Sequence, residues 1–186
     1  MSDLWIFAYG SLMWRPGFAF EEVQPARISG AHRGLCVYSF VHRGTPGRPG
    51  LVLGLDAGGR CDGVAYRVSA MNRKGVIAYL RAREQVTRVY REAERSIELP
   101  AQEHRKVRSV CYMVDRTHRQ YAGRLPLDVQ AGLVRDARGQ SGRNIDYVVN
   151  TIRHLREQGI HDAGMERLLV RLGRGARARC GPIEGK

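Results

Sequence analysis

Apolar positions fall in short runs and alternations up to Val68, then at helical spacing, then in alternation again, and finally at helical spacing through the last third. Leu4 to Ala8 is a continuous apolar run, which predicts a short buried strand ending at Gly10-Ser11, with Trp14-Arg15-Pro16-Gly17 as a following turn. Leu35 to Val41 and Leu51 to Leu55 predict two more strands, separated by a segment from His42 to Gly50 too rich in Gly and Pro for regular structure. After an Ala57-Gly58-Gly59 turn, Val64, Tyr66 and Val68 alternate with Ala65 and Arg67 as another half-buried strand.

The period then changes. Val76, Ile77, Leu80 and Glu84 recur at helical spacing, with Ser69 or Asn72 available as the N-cap. Arg88 to Leu99 and Lys106 to Val114 are rich in strand formers, and the Pro100 connection suits an antiparallel hairpin or a longer return. Helices are predicted over Leu127 to Ala137, Asn144 to Gln158 and Ala163 to Leu172; in the second, Ile145, Val148, Val149, Ile152 and Leu155 share one face. Strands, a helix, more strands and then helices make an α+β protein. The expected architecture is a mainly antiparallel sheet, able to curl into a small barrel, flanked by helices. One domain is expected over residues 1–172, followed by a flexible basic tail over residues 173–186.

Composition narrows the function. At 186 residues and 43% hydrophobic content, the chain is long enough to bury about 70% of its unfolded surface in one core. A formal charge of +13, from 31 Lys and Arg against 18 Asp and Glu, suits an anionic partner. The Arg residues are spread along the chain and no nucleic-acid module accompanies them, so nucleic acid is not the expected partner. Cys36, Cys61, Cys111 and Cys180 form no CxxC pair, and the histidines have no ligand spacing, so no metal or cofactor is expected. The N-terminal segment is unlike a signal peptide and no stretch approaches the ~20 apolar residues of a membrane span. A cytoplasmic protein with reduced thiols is the expectation.

Three constellations carry candidate chemistry. Ile6-Phe7-Ala8-Tyr9-Gly10-Ser11-Leu12 is a strand that opens into a glycine turn, which is either an ordinary strand-to-loop connection or a place where backbone N–H groups converge on an anionic oxygen. Glu84 follows Ile77 and Leu80 on the apolar stripe of its helix. Burial there would raise its pKa and suit it to accept a proton near pH 7. The alternative is a carboxylate at a helix end, paired with Arg81 or Arg88. The segment from His42 to Gly50 holds Arg43 and Arg48, either as a clamp for a substrate carboxylate or as a solvated basic loop. Ser141-Gly142-Arg143-Asn144 reads first as a turn and helix cap. No Gly-x-Ser-x-Gly elbow and no phosphate loop is present.

Five segments in order, Phe7 to Leu12, His42 to Gly50, Gly63 to Val68, Ala78-Tyr79-Leu80 with Arg83-Glu84, and Ser141 to Asn144, resemble the ChaC-like γ-glutamylcyclotransferase family. The resemblance spans residues from about 5 to 172. It implies a small β-barrel flanked by helices, a substrate-binding turn at Ile6 to Ser11 and a proton acceptor at Glu84. It also implies glutathione as substrate, with 5-oxoproline and cysteinylglycine as products. The chain departs from the family pattern at Ala8, where a glycine is usual, and at Gln85-Val86-Thr87-Arg88, where the family continues Lys-Gly-Gly-Tyr. Such a reaction needs no protein nucleophile, because the substrate's own α-amine attacks its γ-carbonyl; the protein has to supply a base and a shape. Another γ-glutamyl amine or amino acid is the competing substrate.

Overall fold

The computed structural model describes residues 3–179. The end of the expected basic tail, Cys180 to Lys186, lies outside the described residues. In chain order the elements are β1 (Leu4–Ala8), a 3-10 turn (Ser11–Met13), β2 (Glu22–Ser39), β3 (Gly50–Val68), α1 (Arg73–Glu84), β4 (Tyr90–Leu99) and β5 (Arg105–Val114). They are followed by α2 (Leu127–Asp136), β6 (Arg138–Gly139), β7 (Gly142–Arg143), α3 (Asn144–Glu157) and α4 (Ala163–Arg179).

Strands β1 to β5 close a barrel in the order β1-β3-β2-β4-β5, so the sheet does curl as its composition allows. Antiparallel pairs join β1 to β3, β2 to β4 and β4 to β5, and the last is the hairpin expected around Pro100. Closure comes from a short parallel pairing of Trp5 and Ile6 on β1 with Ser109 and Val110 on β5. A closed sheet leaves β1 without an edge, which accounts for a strand buried at all five positions.

Two strands are longer than their apolar patterns suggest. β2 begins at Glu22 rather than Leu35, because its period-2 pattern is broken: Gln24, Ala26 and Ile28 are buried, and the next buried position is Ala31. The slip of one residue falls at Gly30, whose φ of +79 is the left-handed conformation a G1-type β-bulge uses. The runs Leu51 to Leu55 and Val64 to Val68 belong to a single strand, β3, which passes through the expected Ala57-Gly58-Gly59 turn without ending. At the other end of the chain, α4 continues past Leu172 to Arg179, since Ala and Arg sustain a helix through two glycines.

The chain divides into two compact units. The first comprises the residues up to Val37 together with Leu53–Gly123, and the second comprises Tyr38–Val52 and the chain from Arg124 onward. In the first, α1 buries Val76 and Leu80. In the second, α2, α3 and α4 pack against one another, burying Val134, Val148, Ile152, Leu155, Met165 and Leu168. Asn144 begins α3 fully buried, with its amide donating to the Leu51 carbonyl at 2.8 Å and its Oδ1 accepting from the Leu51 amide at 2.7 Å. Within Ser141 to Asn144, Ser141 completes the turn between β6 and β7, Gly142-Arg143 form β7, and no side chain caps the start of α3. Instead Asn144 ties the start of the helix to the start of β3 within the same unit.

Candidate active site

The end of β1 is fixed before the turn begins. Ile6, Phe7 and Ala8 are buried, with Ile6 opposite Tyr66 on β3 and Val110 on β5. Gly63 lies so close to the end of β1 that a Cβ there would overlap the Ala8 carbonyl oxygen. Beyond Ala8 the chain is held from below: Arg33 donates from Nε to the Tyr9 carbonyl at 2.6 Å and from Nη2 to the Asp62 carbonyl at 2.6 Å. The Met13 amide closes the 3-10 turn onto the Gly10 carbonyl at 2.8 Å. The amides of Ser11 and Leu12 precede that first internal donor, as in any helical start. The Tyr66 hydroxyl lies 3.0 and 2.9 Å from the carbonyls of Leu12 and Met13, and burial pushes its pKa up to about 12. Phe18 meets Tyr66 edge-on at 5.5 Å, and Phe20 packs on the same ring at 4.8 Å.

Glu84 is the last residue of α1, and its side chain is 18% exposed. Burial raises its pKa, while the charge and hydrogen bond of Arg83 pull in the opposite direction without cancelling the effect. Both sequence readings are partly met, since the residue is at a helix end but is not a surface carboxylate. Its cation is Arg83, at 3.1 Å from Nε to Oε1, rather than the expected Arg81 or Arg88. Arg81 is taken by Glu92, which accepts from Nε and Nη2 at 2.7 Å each.

Arg83 also connects the helix end to the turn. Its Nη2 donates to Ser11 Oγ at 3.1 Å, and its Nη1 donates to the Arg15 carbonyl at 2.6 Å and the Tyr79 hydroxyl at 3.0 Å. The turn from Ile6 to Leu12 and the carboxylate of Glu84 are thus brought together by a residue that hydrophobic spacing does not distinguish; only its place beside Glu84 in the recurring Arg-Glu pair marks it. Tyr112 on β5 lies within electrostatic reach of Glu84. It is buried and donates to Glu92 Oε2 at 3.1 Å; burial and the two carboxylates Glu92 and Glu84 raise its pKa. An open groove of about 740 Å³ lies beside α1, lined by Met71, Lys74, Ile77, Arg81 and Glu92 among others; Glu84 and the Gly10-Ser11 turn do not line it.

Arg43 belongs to the second unit. Its Nη1 donates to the Ser141 carbonyl at 2.5 Å, and its guanidinium sits 5.3 Å from the centre of the Tyr147 ring. Its Nε and Nη2 make no hydrogen bond among the described residues. Arg48 is exposed, and its amide bonds to Thr45 within the same loop. Among the described residues no group of three His, Cys, Asp or Glu is placed to hold a metal ion. The three described cysteines are buried and form no disulfide among the described residues, and burial pushes Cys36 up to about 12 and Cys111 up to about 11. His104 pairs with Glu98 and His154 with Glu157. No described helix is long and apolar enough to cross a membrane.

The family model described as ChaC-like protein matches residues 4–174. This chain belongs to the ChaC-like family. A relative from Escherichia coli (strain K12), the glutathione-specific γ-glutamylcyclotransferase, is 34% identical over 167 residues, covering 90% of this chain and 71% of that protein. The human glutathione-specific γ-glutamylcyclotransferase 1 is 32% identical over 148 residues, covering 78% of this chain and 67% of that protein. Among solved structures, a γ-glutamyl cyclotransferase specific to glutathione from yeast superposes with a TM-score of 0.83 at 22% identity, covering 94% of this chain and 97% of that one. That likeness shows a shared fold.

Proposed function

We propose that this ChaC-like chain is a γ-glutamylcyclotransferase that cleaves glutathione to 5-oxoproline and cysteinylglycine, with Glu84 as the proton acceptor. The observation that carries the reading is Glu84 itself: a carboxylate mostly withdrawn from water, its pKa raised by burial, and linked through one guanidinium to the turn at Ser11. The names of the relatives support glutathione as the substrate.

The reaction follows from the substrate's connectivity. At neutral pH the α-amine of the γ-glutamyl group is an ammonium and has no lone pair to donate. Glu84 takes one of its protons, and the freed amine attacks the γ-carbonyl carbon, forming the C–N bond of the lactam ring. As the tetrahedral oxyanion collapses, the amide C–N bond to cysteinylglycine breaks and the protonated Glu84 gives its proton to the departing nitrogen. The ring nitrogen, which still holds two protons, loses one through Glu84 or solvent, and that proton leaves the released cysteinylglycine as an ammonium. A carboxylate of raised pKa is better matched to this exchange than an ordinary one. Holding the γ-glutamyl chain folded for attack contributes about 7 kcal/mol or more in comparable intramolecular reactions. The turn from Ile6 to Leu12 would supply that hold, with the leading amides at Ser11 and Leu12 directed at the α-carboxylate or the oxyanion. Arg43 would contribute binding of a carboxylate through its Nε and Nη2. The cytoplasm, where thiols stay reduced, suits both the substrate and the buried thiols of Cys36 and Cys111.

The test is a substrate panel. Purified protein is incubated with glutathione, γ-glutamyl dipeptides and a γ-glutamyl amine, and 5-oxoproline release is measured. Release from glutathione in excess of the others supports the proposal; preference for the amine or a dipeptide overturns the substrate assignment, and no release from any of them overturns the activity.

A further inference from the structure

We propose that Arg83 is the positioning residue of this site, one guanidinium that orients the Glu84 carboxylate and locks the Gly10-Ser11 turn against the end of α1. The inference rests on the reading of Glu84 as the proton acceptor.

All three guanidinium nitrogens are committed, and to different parts of the site. Nε faces Glu84 Oε1 at 3.1 Å, Nη2 holds Ser11 Oγ at 3.1 Å, and Nη1 holds the Arg15 carbonyl at 2.6 Å with Tyr79 Oη at 3.0 Å. Adjacent residues on a helix point in different directions and do not ordinarily pair. Arg83 and Glu84 nevertheless pair, as the last two residues of α1. The planar fork is what allows one side chain to reach a carboxylate, a hydroxyl and a carbonyl at once; a lysine ammonium carries the charge on a single atom.

Among the described residues, Arg83 is the one cation paired with Glu84. Arg81, one turn earlier on α1, is bound by both oxygens of Glu92. Tyr112 on β5, a titratable group within electrostatic reach of Glu84, donates its hydroxyl to Glu92. Burial raises the Glu84 pKa and Arg83 opposes that rise. Removing the positive charge should therefore keep Glu84 protonated to higher pH, whereas removing only the fork should loosen the turn and leave the titration in place.

Two variants separate these effects. The rate constants kcat and KM for glutathione are measured from pH 5 to 9 for the wild type, Arg83→Met and Arg83→Lys, with a melting curve for each. For Arg83→Met the acid limb of kcat/KM should move up by about one pH unit, so that the rate on that limb falls by up to ~10-fold and recovers at higher pH. For Arg83→Lys the acid limb should stay in place while KM rises by roughly 5-fold or more, because the charge remains and the fork is lost. An acid limb in Arg83→Met at the wild-type position overturns the proposal. If that variant does not fold, a wild-type KM in Arg83→Lys overturns it instead. Glu84→Gln run in the same series keeps the two readings apart: if it remains active, the assignment of Glu84 fails, whereas an inactive Glu84→Gln beside an unshifted Arg83→Met removes only the role of Arg83.

Discussion

Replacing Glu84 by Gln tests the chemistry with little change of shape. The amide oxygen can still accept from Arg83 Nε, and Arg83 keeps its bonds to Ser11, Arg15 and Tyr79, so the turn should stay where it is. What disappears is a lone pair basic enough to take a proton from an ammonium. Ring closure should slow by about 10²-fold or more, or about 2.7 kcal/mol in the barrier, mostly in kcat. Stability should change little. One ion pair is lost, worth about 1 kcal/mol or less, and the cost of desolvating a charge is removed, so Tm should move by no more than roughly 4 °C. The sign of its pH dependence is fixed by the raised pKa. Glu84 binds a proton more readily in the folded chain than in the unfolded one, so wild-type stability declines relative to the variant as pH rises through the folded pKa, and the two converge on that account below about pH 4. The assay is 5-oxoproline release together with thermal melts at several pH values. A Glu84→Gln protein that melts normally and releases 5-oxoproline near the wild-type rate would show that the carboxylate is not the base.

Three further outcomes follow from the structure. Asp56 has a side chain 7% exposed, held by Arg116 Nε at 2.6 Å and the Tyr121 hydroxyl at 2.8 Å. Burial works to raise its pKa, but Arg116, Tyr121 and the Ala57 amide together hold it below the ordinary carboxylate value. Asp56→Ala should cost about 2 kcal/mol and lower Tm by roughly 4–8 °C at pH 7; the gap to wild type should shrink as acid protonates Asp56 below about pH 4, and a gap that widens in acid would contradict this. Gly63→Ala should destabilise the protein by about 1–3 kcal/mol and reduce turnover, because the added methyl displaces the Ala8 carbonyl just before the turn; a melt and a rate assay on the same sample check both. Arg43→Ala should raise KM for glutathione more than it lowers kcat, as expected for uniform binding of a remote carboxylate, and a fall in kcat at constant KM would contradict that role.

Hydrophobic spacing alone places α1, α2, α3, the β4-β5 pair and the run Leu4–Ala8 close to their observed bounds, because each is a local pattern whose period is set by backbone geometry. Helical phase also puts Glu84 on the buried side of α1. Sequence cannot give barrel closure, which depends on the pairing of Trp5 and Ile6 with Ser109 and Val110, about a hundred residues away along the chain. Nor can it give the unbroken lengths of β2 and β3, where glycines that usually end strands instead bend them. Tertiary structure alone decides that Arg83 rather than Arg81 or Arg88 serves Glu84, since β4 brings Glu92 up to claim Arg81 and the segment after the turn lays Arg15 and Ser11 across the end of α1. Arg43 shows the same division: its charge is written in the sequence, but the partners that orient it, Ser141 and Tyr147, are supplied by folding.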